Sequence, residues 1–116
     1  MNRQTMNNIP ERDWKILRTL QDGAINCACG KILDKFEEIL KERAENENEH
    51  KVYLQLWKIM KEKDQYIAIM FDDVKRSNAI LKLAIWKRHG VISDEDFSAF
   101  SEETQQTIKT IINTMR

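Results

Sequence analysis

The sequence predicts an all-α fold: a long antiparallel helical hairpin with short C-terminal helices, two copies of which dimerise into a four-helix bundle. Three observations lead there. Only three glycines and one proline punctuate 116 residues, too few for the turns of a β-rich chain. Apolar residues recur at helical spacing along two long tracts. The tracts are separated by ENENEH, residues 45–50, which has no apolar residue and reads as the turn between antiparallel neighbours.

The first tract gives helix one over 10–44, after a polar segment, 1–9, expected to be flexible. Pro10 suits a first turn because it lacks only an amide that a helix would leave unbonded, and Glu11 and Asp13 face the positive end of the helix dipole. Leu17, Leu20, Ala24, Ala28, Ile32, Phe36 and Leu40 form its stripe. The second tract gives helix two over 50–89. Tyr53, Leu56, Met60, Ile67, Met70, Val74, Leu81 and Ala84 keep heptad spacing, broken at Lys63 and Ser77, and Gly90 supplies a stop. The C-terminal helices fall within 94–114. Ser93 is an N-cap with Asp96 completing a capping box, Ile92 and Phe97 are placed as a hydrophobic staple, and Ser101 caps a last helix after a short one.

A continuous helix over 50–89 would be roughly 60 Å long, whereas a compact domain of this size has a radius of gyration of about 13 Å. One chain cannot cover such a helix, so a homodimer is expected. The alternative is a kink near Lys63-Asp64-Gln65 or Ser77-Asn78, which lets a single chain close.

Lysine plus arginine and aspartate plus glutamate number 19 each, so no global charge draws the chain to nucleic acid or to an anionic surface. The opening MNRQTMNNIP lacks the apolar centre of a signal peptide, and the longest apolar run, Tyr66 to Phe71, is too short to span a bilayer. A cytoplasmic protein with no membrane contact is the expectation. In a reducing compartment Cys27 and Cys29 are free thiols.

Those thiols sit in AINCACGKIL, residues 24–33. A thioredoxin-like pair needs cysteines three apart at a helix N-terminus; here they are two apart in mid-helix, turned roughly 200° from each other, and can neither bond mutually nor share one metal. With a turn near 47, Gly23, Ala24, Cys27 and Gly30 face Met70, Phe71, Ile67, Tyr66, Asp64 and Lys63. The stretch therefore reads as a narrow waist admitting bulk from helix two, with Lys31 free to pair with Asp64. Glu47-x-x-His50 has the spacing used by di-iron bundles, but only one such pair exists and it lies in a polar turn.

Two local patterns remain. Asp73, Ser77 and Asn78 fall near the inward face of a continuous helix two, where they would form a polar layer that fixes dimer register or lines a ligand pocket. Residues 74–92 hold Lys75, Arg76, Lys82, Lys87 and Arg88 with no acid, while 37–49 hold six glutamates against Lys41 and Arg43. A basic patch of Lys75, Lys82, Lys87 and Arg88 makes a nucleic-acid-binding module the second function considered, and a thiol- or metal-dependent sensor or enzyme the third. Catalytic constellations recognisable by spacing are missing. The first expectation is a non-enzymatic interaction or regulatory protein, with a protein partner or a second copy of itself and no cofactor or metal.

Overall fold

Helix α1, Glu11–Arg43, is the spine on which every other element is placed. The computed structural model describes residues 9–43 and 48–115, all of them helix, turn or connecting segment with no strand among them. After α1 come α2 (Glu49–Phe71), a 3-10 turn (Arg76–Asn78), α3 (Ala79–Arg88), α4 (Asp94–Ser98) and α5 (Glu102–Thr114). Asn48 opens α2 by accepting a hydrogen bond from the Lys51 amide at 2.9 Å, and Arg43 pairs with Glu49 at 2.8 Å across the turn. The helices α1 and α2 pack along each other as a hairpin. Residues 1–8, 44–47 and 116 lie outside the described part, and with them the Glu47 of the Glu-x-x-His pair.

The molecule measures 62 × 24 × 24 Å, with a radius of gyration of 17.5 Å, well above that of a compact domain of this length. It divides into a head and an arm. The head packs the first half of α1 against the end of α2 and against α3, α4 and α5, and it holds a continuous core that includes Ile9, Leu17, Leu83, Trp86, Phe97 and Ile108. Ile9, expected to be flexible, is instead fully buried, and its carbonyl accepts from Arg76 Nε at 3.1 Å. The arm is the rest of the hairpin, two helices deep, where, among the described residues beyond Ala28 at its base, only Val52 is buried.

The expected continuous helix over 50–89 is corrected here: it ends at Phe71 and restarts at Ala79. Asp72 is extended (φ −76°, ψ 139°), Asp73 is left-handed (φ 55°) and Lys75 is extended, none of which continues an α-helix. Asn78 holds the break, its side chain accepting from the Lys75 amide and donating to the Asp73 carbonyl, both at 2.9 Å. The reversal folds α3 back onto the hairpin. Trp86, wholly buried, donates from Nε1 to the Met70 carbonyl at 2.9 Å and packs its ring 5.3 Å from that of Phe71. The kink alternative at Ser77-Asn78 lies inside this break.

Local caps finish the head. Gly90, at φ 70°, takes the left-handed position after α3; the Val91 amide donates to Trp86 and the Gly90 amide to Lys87, closing a Schellman motif with Val91 buried beneath it. Ser93 Oγ accepts from the Asp96 amide at 2.9 Å, and Ser101 Oγ from the Thr104 amide at 3.3 Å. Ile92, Phe97 and Phe100 are buried, and Trp14 is half-buried against the same core.

The waist of α1 is narrower than expected. Ala24 and Ala28 are buried, but Gly23 and Cys27 are exposed, and a Cβ added at Gly23 or Gly30 would meet nothing within 4 Å. Lys31 and Asp64 form no ion pair. Two outcomes follow. Gly23→Ala and Gly30→Ala should each raise stability by about 0.5–1 kcal/mol, since alanine adds helix propensity without a clash, measured by urea denaturation. At Asp73, glycine should be neutral to stabilising by a few tenths of a kcal/mol and valine should cost about 1 kcal/mol or more, because a β-branched residue is the poorest occupant of a left-handed turn.

Candidate functional site

Along the arm the inward stripe is Ala28, Ile32 and Ile39 from α1 and Val52, Leu56 and Ile59 from α2. The residue after each stripe position is turned by about 100°, and because the helices run antiparallel those turns carry both sets to the same flank. On α1 these residues include Leu33 and Leu40; on α2 they are Tyr53, Trp57 and Met60. All five are large and solvent-exposed, Tyr53 by 64 % and Trp57 by 57 %. Lys61 Nζ stands 5.1 Å from the Trp57 ring centroid. These five form an apolar strip across both helices, interrupted on α1 by Glu37 after the stripe residue Phe36, in the part of the molecule that has almost no core of its own.

The opposite flank carries the residue before each stripe position, where Lys31, Lys35, Lys51 and Lys58 outnumber the one acid, Glu38. Lys31 and Lys35 precede Ile32 and Phe36, and Tyr66 precedes Ile67. Where this flank meets the turn at His89 and Val91, a cavity of about 260 Å³ opens between the helices, its rim carrying Lys31, Lys35 and Lys63 and its floor Ile32, Ile59 and Met70. The Tyr66 and His89 rings stand 5.9 Å apart at its edge.

Residues singled out in the sequence are distributed differently. Asp73 and Ser77 are exposed and Asn78 is half-buried, so the inward polar layer is corrected: these groups shape the break after α2 instead of crossing a core. Within the basic run, Lys75 pairs with Asp73 at 3.4 Å, Lys82 donates to the Ile69 carbonyl, and Lys87 pairs with Asp94 at 2.7 Å. The Lys87 hydrogen bond holds the Asp94 carboxyl below the usual aspartate range. Arg88 is exposed and shares no ion pair among the described residues. Cys27 and Cys29 are exposed free thiols, with Cys27 Sγ 3.9 Å from the Gly90 carbonyl oxygen. No three metal-ligating side chains converge among the described residues, and no helix there is long and apolar enough to cross a membrane.

One polar site in the head went unread in the sequence. The Asp13 side chain is fully buried; Oδ1 accepts from the Ser101 amide at 2.9 Å, and Oδ2 accepts from the Ser101 and Thr104 hydroxyls, each at 2.6 Å. Arg12 Nη1 lies 3.7 Å from Oδ1. Burial by itself would raise the carboxyl pKa, but the hydrogen bonds from Ser101 and Thr104, with Arg12 beside them, outweigh it and set it below the ordinary value. The carboxylate thus tethers the first turn of α1 to the N-terminus of α5, a contact between residues nearly ninety positions apart that spacing could not reveal.

A lowered folded-state pKa means that this site contributes stability above the unfolded value of about 3.9 and loses that contribution as pH falls through the folded value. Asp13→Asn should cost about 2 kcal/mol near neutral pH, the scale of hydrogen bonds to a charged acceptor. The difference from the native chain should shrink as pH falls below the unfolded value of about 3.9 and on through the lowered folded value; urea titrations at neutral pH and at a series of descending acid pH values check it.

Compared with protein-family models, curated proteins and solved structures, the chain matches none.

Proposed function

We propose that this protein is a non-enzymatic helical interaction protein that acts as a homodimer, the apolar flanks of two arms packing about a two-fold axis into a four-helix bundle. The observation that carries the reading is the strip of Leu33, Leu40, Tyr53, Trp57 and Met60, exposed on one flank of a two-helix arm. Two helices facing each other bury only one stripe apiece, and a second pair supplies the missing layer.

Charge supports a second copy as the occupant. Towards the end of the arm the described residues are acidic, with Glu37, Glu38, Glu42 and Glu49 against Lys41 and Arg43. On the apolar flank of α2 the cation is Lys61, which stands over the Trp57 ring. Antiparallel docking about a two-fold would bring each acidic arm end towards the other chain's Lys61, giving the surface the charge complementarity to itself that an isologous interface requires. The exposed thiols suit a reducing, cytoplasmic setting.

Sedimentation equilibrium at micromolar concentration should give twice the chain mass of 13.8 kDa. Tyr53→Glu with Trp57→Glu should give a monomer of unchanged helicity, because both side chains are outside the core of the single chain. A native chain that stays monomeric under those conditions removes the homodimer; a dimer untouched by the double substitution places the interface elsewhere.

A further inference from the structure

We propose that the cavity on the cationic flank is a binding site for a small single-chain anionic amphiphile, an alkyl chain ending in a carboxylate or phosphate. The site joins an apolar floor to a cationic rim. Its floor is apolar, with Ile32 and Ala28 from α1 and Ile59, Ile67 and Met70 from α2, so it offers a hydrocarbon tail the burial it lacks in water. Its rim gathers Lys31, Lys35 and Lys63, and no aspartate or glutamate lines it.

These lysines differ from the cations of the head. Lys75 and Lys87 are held by carboxylates and Lys82 by a carbonyl, whereas Lys31, Lys35 and Lys63 have no carboxylate partner among the described residues. Lys63 Nζ instead lies 5.5 Å from the Tyr66 ring centroid, and Lys31 Nζ reaches over to Gly90, 3.4 Å from where a Cβ would stand. Three ammonium groups around one mouth, in a chain of zero net charge, make a local positive potential that an oxyanion relieves. The Tyr66 hydroxyl and a ring N–H of His89 add hydrogen-bond donors at the same edge.

Size selects the ligand further. At about 260 Å³ the cavity falls just under the range of drug-sized pockets, which suits one short alkyl chain. It also lies on the flank opposite Tyr53 and Trp57, so this site is independent of the dimer surface.

The experiment is calorimetric titration of the full chain with octyl phosphate and with octanoate, both below their micelle concentrations. Octyl glucoside serves as the uncharged control and inorganic phosphate as the tail-less one. One saturable site per chain is expected for at least one of the anionic amphiphiles, with both controls weaker by about tenfold or more. Lys31→Gln, Lys35→Gln and Lys63→Gln together should weaken that binding by about tenfold or more at unchanged helicity, since the three ammonium groups lie on the rim and leave the floor intact. The Tyr53→Glu, Trp57→Glu variant should bind as the native chain does, and the Met70 methyl resonance should shift on titration in both. Equal binding of octyl glucoside, equal binding by the triple variant, or no saturable site for either anion overturns the proposal.

Discussion

A carboxylate with no access to water is stable only where every lone pair that matters meets a donor, and Asp13 meets that condition at the one place where the two ends of the chain come together. It stands in the first turn of α1, where a negative charge opposes the helix dipole, and it accepts the amide and hydroxyl of the residue that caps α5. One charge therefore serves two helix N-termini. With α5 held against α1, the long hairpin acquires a head: α3 is trapped between them, and Trp86 and Phe97 are sealed beneath α4 and α5. Without that anchor, the register of α5 rests on its apolar stripe of Ile108, Ile111 and Ile112 and on Gln105, which donates to the Ser98 and Phe100 carbonyls.

The same economy of contacts explains the shape. The head needs three short helices to bury one end of the hairpin, and none is left for the other end. The arm is thus two helices deep, and each of its helices has two uncovered flanks of opposite character: one apolar, with Tyr53 and Trp57, and one cationic, with Lys31 and Lys35. A flank of one kind on α1 meets a flank of the same kind on α2 because antiparallel helices turn their successive residues to the same side. The arm's surface chemistry is in this way an outcome of one-residue offsets from its inward stripe.

Much of this was legible one turn at a time. Ser93, Ser101 and Gly90 are local signals whose partners lie within five residues, and the structure uses each of them as the capping chemistry demands. The break after Phe71 was harder to read because Met70, Val74, Leu81 and Ala84 keep helical spacing across it. Periodicity records which residues are apolar, and the left-handed backbone of Asp73, stabilised by Asn78, has no signature in that pattern. The cavity escaped notice for a related reason: Lys31, Lys35 and Lys63 lie on two helices and His89 on a turn, so their convergence depends on the register of the hairpin and on the return of α3.

Taken alone, the sequence determined the helical class, the position of the hairpin turn, the caps of the C-terminal helices and the charge asymmetry along the arm, because each of these arises from residues close together in the chain. Tertiary structure decided which apolar residues are core and which are surface. Leu17 and Trp57 look alike in a periodicity plot, yet one is fully buried and the other more than half exposed. Tertiary structure also decided the role of Asp13, a first-turn acid by sequence and a buried tether by structure. Burial and long-range hydrogen bonding depend on which elements return to cover a face, and residues far apart in the chain settle that together.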